Sequence, residues 1–523
     1  MSAHDPHSGQ DVEDDDNGML DAAEAEEEVQ DEGDAAMDSG SDVEEIQLEN
    51  DSAAYFDGHK DSIFCIAQHP VHPEIVVTGG GDDVAHIFDS TPPPRPVLPA
   101  SYESNPQPAG ERAGLASIFK IDGHTDSVNA VAFTLPKGEF VASAGLDGRL
   151  RAYRADPSGR LYRFVGEAQE VDEINWLASC PHPDYPNTLA LGAGDGSVWV
   201  YTLSVDDPAS PLTIVQAFYL HTGPCTAGAW TPDGTLLATV AEDGTFYVWD
   251  VFGAAAAGGI ADAQVGGGGQ AVVGLTPADE RFRVDGGLYS VAVSPGGALA
   301  AVGGAEGKIR IVGLPRLGGA AGVGSTAASG AKGAGARSKA GGGKQAGGPK
   351  TGGGGRGASA APSAGQAGEI LASLQAQSDG VESLSFSAPP MTYLAAGSVD
   401  GSIALFDAAH GFAVRRHIRA AHEEEAVIKV EFVRPAPGAP VGPGGMAAGS
   451  WLLTSCGNDG VLRRWDARGG TAAAAKGLVG EWRGHRGGGE GGGVLGFVQG
   501  GGGGRVVTAG DDHVSLVFET PIA

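Results

Sequence analysis

The sequence contains little that would support a secreted, membrane-spanning or metal-binding protein. Only four of its 523 residues are cysteines, and they stand far apart with no Cys-x-x-Cys pair. This spacing favours neither a disulfide framework nor a zinc site and is typical of a reducing compartment. No run of about 18 apolar residues occurs, and acids stand at the N-terminus where a signal peptide needs a basic and then an apolar stretch. We therefore expect no membrane span and a cytoplasmic protein, with a nuclear location left open.

Lys and Arg are absent from the first 57 positions, which hold 21 Asp and Glu. This stretch has too few large apolar side chains to fold, so residues 1–52 are predicted to form a disordered acidic arm, either a solubility tail or a partner-binding segment. Acids are in turn absent from residues 318–368, a Gly/Ala/Ser-rich stretch with six Lys and Arg that is typical of a flexible insertion.

The charge that remains lies on the folded part. Without the first 57 residues and the insertion, the formal charge of −33 leaves −18. Phosphate binding needs a dense positive face, so direct nucleic-acid binding is not expected. A basic protein partner fits this charge better.

One pattern recurs through the rest of the chain with a period of about forty residues. The clearest copy runs from His221 through the turn Asp243-Gly244 to Trp249-Asp250. Period-2 alternation between Asp-Gly turns indicates short antiparallel strands. The pattern resembles the WD40 repeat, and this resemblance implies an all-β propeller.

Eight copies of the pattern can be counted, the fifth with Glu-Gly where Asp-Gly is expected. They are anchored by Gly58-His59 with Asp83, Gly123-His124 with Asp147, Asp195-Gly196, His221 with Asp243, Glu306-Gly307, Asp400-Gly401, His422 with Asp459-Gly460, and Gly484-His485 with Asp511-Asp512.

Chain length supports the same count. Residues 58–523 contain four apparent insertions, at 90–118, 252–280, 313–375 and 435–449. What is left gives about 41 residues per repeat, against the usual ~40–45. The last repeat is one strand short, and Ala53–Phe56 is predicted to supply that strand and close the ring. The expected architecture is an eight-bladed WD40 β-propeller over residues 53–523.

The recurring histidines and aspartates have a structural explanation. In WD40 repeats such residues form an internal hydrogen-bonded chain, and the resemblance assigns this role to His221, Thr239, Asp243 and Trp249. A metal site is disfavoured because a ring keeps such groups a blade apart. No phosphate-binding loop, nucleophile-elbow or His-Glu-x-x-His motif occurs in the appropriate context. We therefore predict a protein that is not an enzyme and has no cofactor or metal.

Acids concentrate at two places in the repeat, the loop after Gly-His and the turn that carries the Asp. Both places open onto the same rim of a propeller, so the acids are predicted to form an acidic mouth that attracts a cationic ligand. Local turn bonding is the alternative explanation for an Asp two residues after the His. The candidate partner-binding residues are Asp61, Asp82, Asp126, Glu173, Glu242, Glu423, Glu424, Glu425 and Asp511.

A closer resemblance rests on the first, second and seventh repeats. The segments are Gly58 to Cys65 with Thr78 to Asp83, Gly123 to Val128, and Asn458-Asp459-Gly460 through Trp465-Asp466-Ala467-Arg468. They are similar to the angio-associated migratory cell protein family, which also has an acidic arm before eight repeats. That family includes a fungal relative that is a dedicated chaperone of one large-subunit ribosomal protein, whose basic N-terminal segment it holds on an acidic propeller face.

This resemblance implies a non-enzymatic ribosome-assembly chaperone with a basic ribosomal-protein client. We expect the chaperone to be a monomer. Two alternatives stay open at this point. The first is a cytoplasmic signalling or ubiquitin-ligase adaptor, since animal members of the family are linked to cell migration. The second is a hydrolase with a site in the funnel, for which convergent carboxylates and a nucleophile would be needed.

Overall fold

The computed structural model describes residues 50–93, 112–259, 271–317, 366–436, 438–442, 445–469, 477–487 and 491–521. These residues form eight sheets, seven with four strands and one with five. The first strand of each sheet contacts the first strand of the next, and that of the eighth contacts that of the first, so the sheets close into a ring. The predicted eight-bladed all-β propeller is confirmed. The predicted arm, apart from residues 50–52, and the predicted insertion, apart from residues 366–368, lie outside the described residues.

Each blade is ordered from the central axis outward. In blades 1 to 4 the strands are Ile63–Gln68, Ile75–Gly80, Ala85–Asp89 and Ser117–Ile121; Val128–Phe133, Phe140–Gly145, Leu150–Ala155 and Tyr162–Ala168; Ile174–Ser179, Thr188–Ala193, Val198–Leu203 and Leu212–Phe218; Cys225–Trp230, Leu236–Ala241, Phe246–Asp250 and Ala271–Leu275.

The remaining blades follow the same order. In blades 5 to 7 the strands are Leu288–Val293, Leu299–Gly304, Lys308–Gly313 and Ile370–Gln375; Val381–Phe386, Tyr393–Ser398, Ile403–Asp407 and Ala413–Ile418; Val427–Phe432, Leu452–Gly457, Leu462–Asp466 and Leu478–Trp482. Blade 8 contains Val494–Gln499, Arg505–Gly510, Ser515–Glu519, Ala54–Phe56 and Ala113–Gly114. The described helices are one α-helical turn, Ala254–Ala257, and two 3-10 turns, Ala305–Gly307 and Ala408–His410. None of these helices is long and apolar enough to span a membrane.

Apolar side chains between neighbouring blades form the core. The second strand of blade 1, Ile75–Gly80, is buried along its whole length. Ile75 and Val77 on this strand cluster with Val131 and Phe133 on the inner strand of blade 2. Burial of such surfaces contributes about 25 cal/mol per Å². Each blade is therefore stabilised mainly by its neighbour.

The ring closes as predicted, with one additional strand. Ala54–Phe56 pairs antiparallel with the last strand, so that Ala54 lies opposite Val517. The Phe56 ring stacks on Phe88 of blade 1 with centroids 4.4 Å apart. Ala113–Gly114 then pairs parallel with the closing strand and covers its outer edge. Ahead of the predicted boundary, the Asp51 N–H donates to the Arg483 carbonyl at 2.7 Å.

Three of the predicted insertions include residues that belong to strands. Ser117–Ile121 begins inside 90–118, Ala271–Leu275 lies inside 252–280, and Ile370–Gln375 lies inside 313–375. All three are the outermost strands of their blades. Such a strand has no Asp turn and exposes one face, as the alternating burial of Ile370–Gln375 shows. The repeat pattern is therefore weakest where these strands lie.

Candidate functional site

The inner strands share one irregularity at the rim where the Asp turns lie. Each has a β-bulge at its second residue, for example between Ile63 and Cys65 in blade 1. A bulge changes the direction of a side chain and is common beside functional sites. The eight bulged residues lie at one end of the central channel, and we call them the bulge ring. They are Phe64, Asn129, Asn175, Thr226, Tyr289, Glu382, Ile428 and Leu495.

The predicted internal chain in blade 4 includes one residue that the sequence analysis did not assign. His221 Nε2 lies 2.8 Å from Thr239 Oγ1, which also accepts a hydrogen bond from Trp249 Nε1 at 2.8 Å. Asp243 does not bond His221 directly, because Thr245 stands between them: its Oγ1 is 2.6 Å from His221 Nδ1 and donates to Asp243 at 2.6 Å. Burial lowers the pKa of His221 to about 4. These groups are internal to the blade.

Four other blades join histidine and aspartate directly. The Nδ1 to Oδ1 distances are 3.0 Å for His59 and Asp82, 3.1 Å for His124 and Asp147, 2.8 Å for His422 and Asp459, and 2.9 Å for His485 and Asp512.

Asp82 thus belongs to the blade rather than to an open rim, which corrects its place among the candidate contacts. Its second oxygen accepts the Lys60 N–H at 3.0 Å, and its side chain is 10% exposed. Burial alone would raise the pKa of Asp82, but hydrogen bonds from His59 and Lys60 lower it below its usual value. Asp83, which the repeat pattern predicts as the Asp of this turn, instead has a left-handed φ of 61°, and Gly148 at the equivalent position of blade 2 has a φ of 70°.

The other candidate acids are accessible to different extents. Glu425 and Asp511 are half-buried, and the exposed ones are Asp61, Asp126, Glu173, Glu242, Glu423 and Glu424. One oxygen of Asp61 and one of Asp126 accept the N–H of the next residue at 2.8 Å, the local bond considered from sequence. Asp511 accepts a hydrogen bond from Ser62 Oγ at 2.5 Å across the junction of blades 8 and 1. The pKa of Arg483 is raised mainly by its hydrogen bond to Glu481, and the negative charge of Glu423 raises it further.

Sequence reasoning missed three acids on the same rim: Asp172, Asp379 and Glu382. They lie in blades 3 and 6, which lack the Gly-His pair that guided the search. The usable signal is the position two residues before the inner strand. That position is acidic in five blades: Asp61, Asp126, Asp172, Asp379 and Glu425.

Acids of blades 4 and 6 meet around Tyr289, which belongs to blade 5 between them. Burial raises the pKa of Tyr289, and the charges of Glu382, Glu242 and Asp379 raise it further. Burial, assisted by Asp379, also raises the pKa of Glu382. In the part of the chain that the structure describes, Glu242, Asp379 and Glu382 form no ion pair, so this arc is suited to a cationic ligand.

The two ends of the channel differ in chemistry. The end opposite the bulge ring contains a cavity of about 750 Å³ lined by many apolar residues, such as Pro181 and Phe386, and also by Lys429, Glu431 and Arg434. The described part of the chain has no group of three or more His, Cys, Asp or Glu that could hold a metal ion. The acidic end is therefore the candidate site for a charged partner.

Comparison with known proteins agrees with the fold. The family model described as WD domain, G-beta repeat matches residues 51–89, 115–154, 212–250 and 368–407. The chain is 25% identical to the human angio-associated migratory cell protein over 467 residues, which cover 89% of this chain and 80% of that protein. It is 32% identical to the ribosome assembly protein SQT1 of Saccharomyces cerevisiae over 206 residues, which span 38% of this chain but 42% of the yeast protein.

A solved structure covers more of the chain. It is the crystal structure of Sqt1 from Chaetomium thermophilum bound to the N-terminus of the ribosomal protein L10. The two chains are 51% identical with a TM-score of 0.71, and the match covers 90% of this chain and all of the other.

Proposed function

The chain belongs to the Sqt1 family of WD40 propellers, and we propose that it is a ribosome-assembly chaperone that holds a basic N-terminal segment of a ribosomal protein at its acidic mouth. The observation that carries this proposal is the acid found two residues before the inner strand in five of eight blades. The Sqt1 structure with the N-terminus of L10 supports it, since that protein is 51% identical to this one.

The proposed mechanism is charge-assisted holding without chemistry. A single exposed ion pair is worth only ~0–1 kcal/mol, so several acids must act together. Their concentration around one channel raises the local concentration of a basic segment and speeds its capture. We propose that the protein works in the cytoplasm as a monomer, without catalysis, cofactor or metal, and without direct contact to nucleic acid.

A matched pair of charge reversals tests the mouth. Glu242→Lys with Glu424→Lys changes two exposed mouth acids that lie outside the histidine networks. Asp184→Lys with Asp206→Lys makes the same charge change on loops at the opposite end of the channel. The measurement is calorimetric binding of a synthetic peptide of the L10 N-terminus. The mouth variant should bind roughly tenfold or more weakly, and the control should bind like wild type.

Salt provides a second test. Exposed charges separated by more than the Debye length of about 10 Å at 0.1 M are screened, so affinity should fall steeply from low to physiological salt. Equal binding by the mouth variant and wild type, or binding indifferent to salt, would contradict the proposal. The adaptor alternative would then be the better explanation.

A further inference from the structure

Two members of the bulge ring are aromatic, and each borders the space beside a glycine together with a carboxylate. A Cβ atom placed on Gly81 would lie 3.1 Å from Asp61 Oδ2 and 3.3 Å from Phe64 Cε2. The corresponding atom on Gly380 would lie 3.2 Å from Glu382 Oε1 and 3.4 Å from Tyr289 Cε2. We call these the two acid–aromatic pairs.

The pairs lie on opposite sides of the mouth. Phe64 belongs to blade 1 and Tyr289 to blade 5, and these blades face each other in a ring of eight. One extended segment that crosses the mouth could therefore contact both pairs. The smaller residues Asn175 and Thr226 between them hydrogen-bond to the next blade, through the carbonyls of Cys225 and Leu288.

The rings and acids of both pairs are available to a ligand. Phe64 is 39% exposed, although it is a large apolar side chain. The Tyr289 hydroxyl donates to the Gly286 carbonyl at 2.5 Å, which fixes the ring. Elsewhere the protein places arginines over the rings of Phe164, Tyr393, Trp451 and Trp482. Among the described residues no cation lies over the ring of Phe64 or Tyr289, and neither Asp61 nor Glu382 forms an ion pair.

We propose that each acid–aromatic pair receives one arginine side chain of the client, so that the mouth selects arginine over lysine. This inference rests on the proposed function and specifies which client chemistry the mouth recognises. A guanidinium is planar and weakly hydrated, so it can stack on the ring while its edge donates to the carboxylate. A lysine ammonium is a strongly hydrated point charge that gains little from the ring. A purely acidic mouth would bind the two cations alike.

Two designed peptides of equal length and charge test the preference. One places four arginines, and the other four lysines, in the same Gly/Ser sequence. Calorimetry should show that wild type binds the arginine peptide about tenfold more tightly than the lysine peptide. Phe64→Leu with Tyr289→Leu should reduce this ratio to nearly one while lysine-peptide binding hardly changes. Asp61→Asn with Glu382→Gln should weaken both peptides.

The control removes an exposed aromatic ring outside the mouth. Phe164→Leu, on the outermost strand of blade 2, should leave the ratio unchanged. Thermal unfolding of each variant checks that the fold is intact, and if the double leucine variant is unstable, each single variant should halve the preference on a logarithmic scale. Equal wild-type binding of both peptides, or a preference that survives loss of both rings, would overturn the inference. The proposed function would fail separately if wild type did not bind the L10 peptide.

Discussion

Blades 7 and 5 have the same four-stranded sheet, but the interior of blade 7 contains a hydrogen-bonded polar chain and that of blade 5 contains apolar side chains. In blade 7 the buried His422 lies between Asp459 and Ser455, with its Nδ1 2.8 Å from Asp459 Oδ1 and its Nε2 2.7 Å from Ser455 Oγ. Trp465 Nε1 donates a hydrogen bond to the same serine at 2.8 Å. In blade 5 the positions equivalent to Ser455 and Trp465 are Val302 and Val312, both fully buried.

Blade 5 replaces the polar chain with apolar packing. Val302 and Val312 belong to a cluster that also contains Phe282, Val284 and Leu288. Glu306, where the repeat has Asp, is exposed and forms an ion pair with the partly buried Lys308. The hydrogen-bonded chain is therefore one way to satisfy a blade interior and is not required for a blade to form.

The largest expected effect is the loss of the apolar side chain that completes blade 5. Phe282 is fully buried and lies 6.3 Å from the Phe246 ring of blade 4, measured between centroids. Phe282→Ala should destabilise the protein by roughly 3–5 kcal/mol in urea unfolding, because it leaves a cavity. Phe282→Leu is the matched control and should cost less than about 1.5 kcal/mol. A loss below about 1 kcal/mol for the alanine variant would mean that blade 5 is not stabilised by this packing.

The comparison also explains what the sequence could predict. The Asp or Glu turn recurs in every repeat, often with a histidine before it, so these residues identify the blades. The closing strand is predicted because the last repeat is one strand short. The outer strands Ala271–Leu275 and Ile370–Gln375 carry no such marker, so the repeat pattern places them within insertions. Phe282 lies just beyond one of these misassigned segments, so its role in the core was not foreseen.

The site was less predictable than the fold for a local reason. Asp82 and Asp83 are adjacent acids in one turn, and only the backbone conformation decides which of them reaches His59. In blade 4 the hydroxyl of Thr245 takes the place of a direct Asp–His contact. Glu173 of blade 3 is predicted, but Asp172 beside it and Asp379 and Glu382 of blade 6 are not, because these two repeats lack the Gly-His pair on which the prediction of rim acids depends. Their distance from the inner strand is a better guide.

Low pH should destabilise the blades that contain a buried histidine before it destabilises blade 5. Burial lowers the pKa of His422 despite the hydrogen bond that it donates to Asp459. Burial lowers the pKa of His86 in blade 1 and of His221 in blade 4 to about 4. A histidine with a lower pKa when folded stabilises the fold above its unfolded pKa of about 6.5, and this stability is lost as pH falls toward 4. Each histidine with a pKa near 4 can contribute a loss of about 3 kcal/mol.

Hydrogen exchange from pH 6.5 to 4 measures this effect blade by blade, after correction for intrinsic exchange rates. Amide protection in blades 1, 4 and 7 should fall before protection in blade 5, which has no histidine. The aspartate partners act in the same direction, since Asp459 has a lowered pKa and would lose its contribution as it protonates. If blade 5 loses protection first, or with the others at the same pH, histidine protonation does not control acid unfolding.

The smallest expected effect concerns the segment inside blade 5. Residues 318–365 join the third strand, Lys308–Gly313, to the outer strand, Ile370–Gln375, and these strands are neighbours with Val312 opposite Ile370. The Gly368 N–H donates to the Gly313 carbonyl at 2.9 Å, and the Gly313 N–H donates to the Glu369 carbonyl at 3.0 Å, so the two ends already meet.

A linker of six Gly and Ser residues can therefore replace the segment. Each halving of loop length recovers about 0.6 kcal/mol of closure entropy, so the variant should be as stable as wild type or up to about 2 kcal/mol more stable. Calorimetric melting should show an unchanged or slightly raised Tm. A fall of more than a few degrees would show that the segment contributes packing to blade 5, and the blade would then depend on more than the apolar cluster around Phe282.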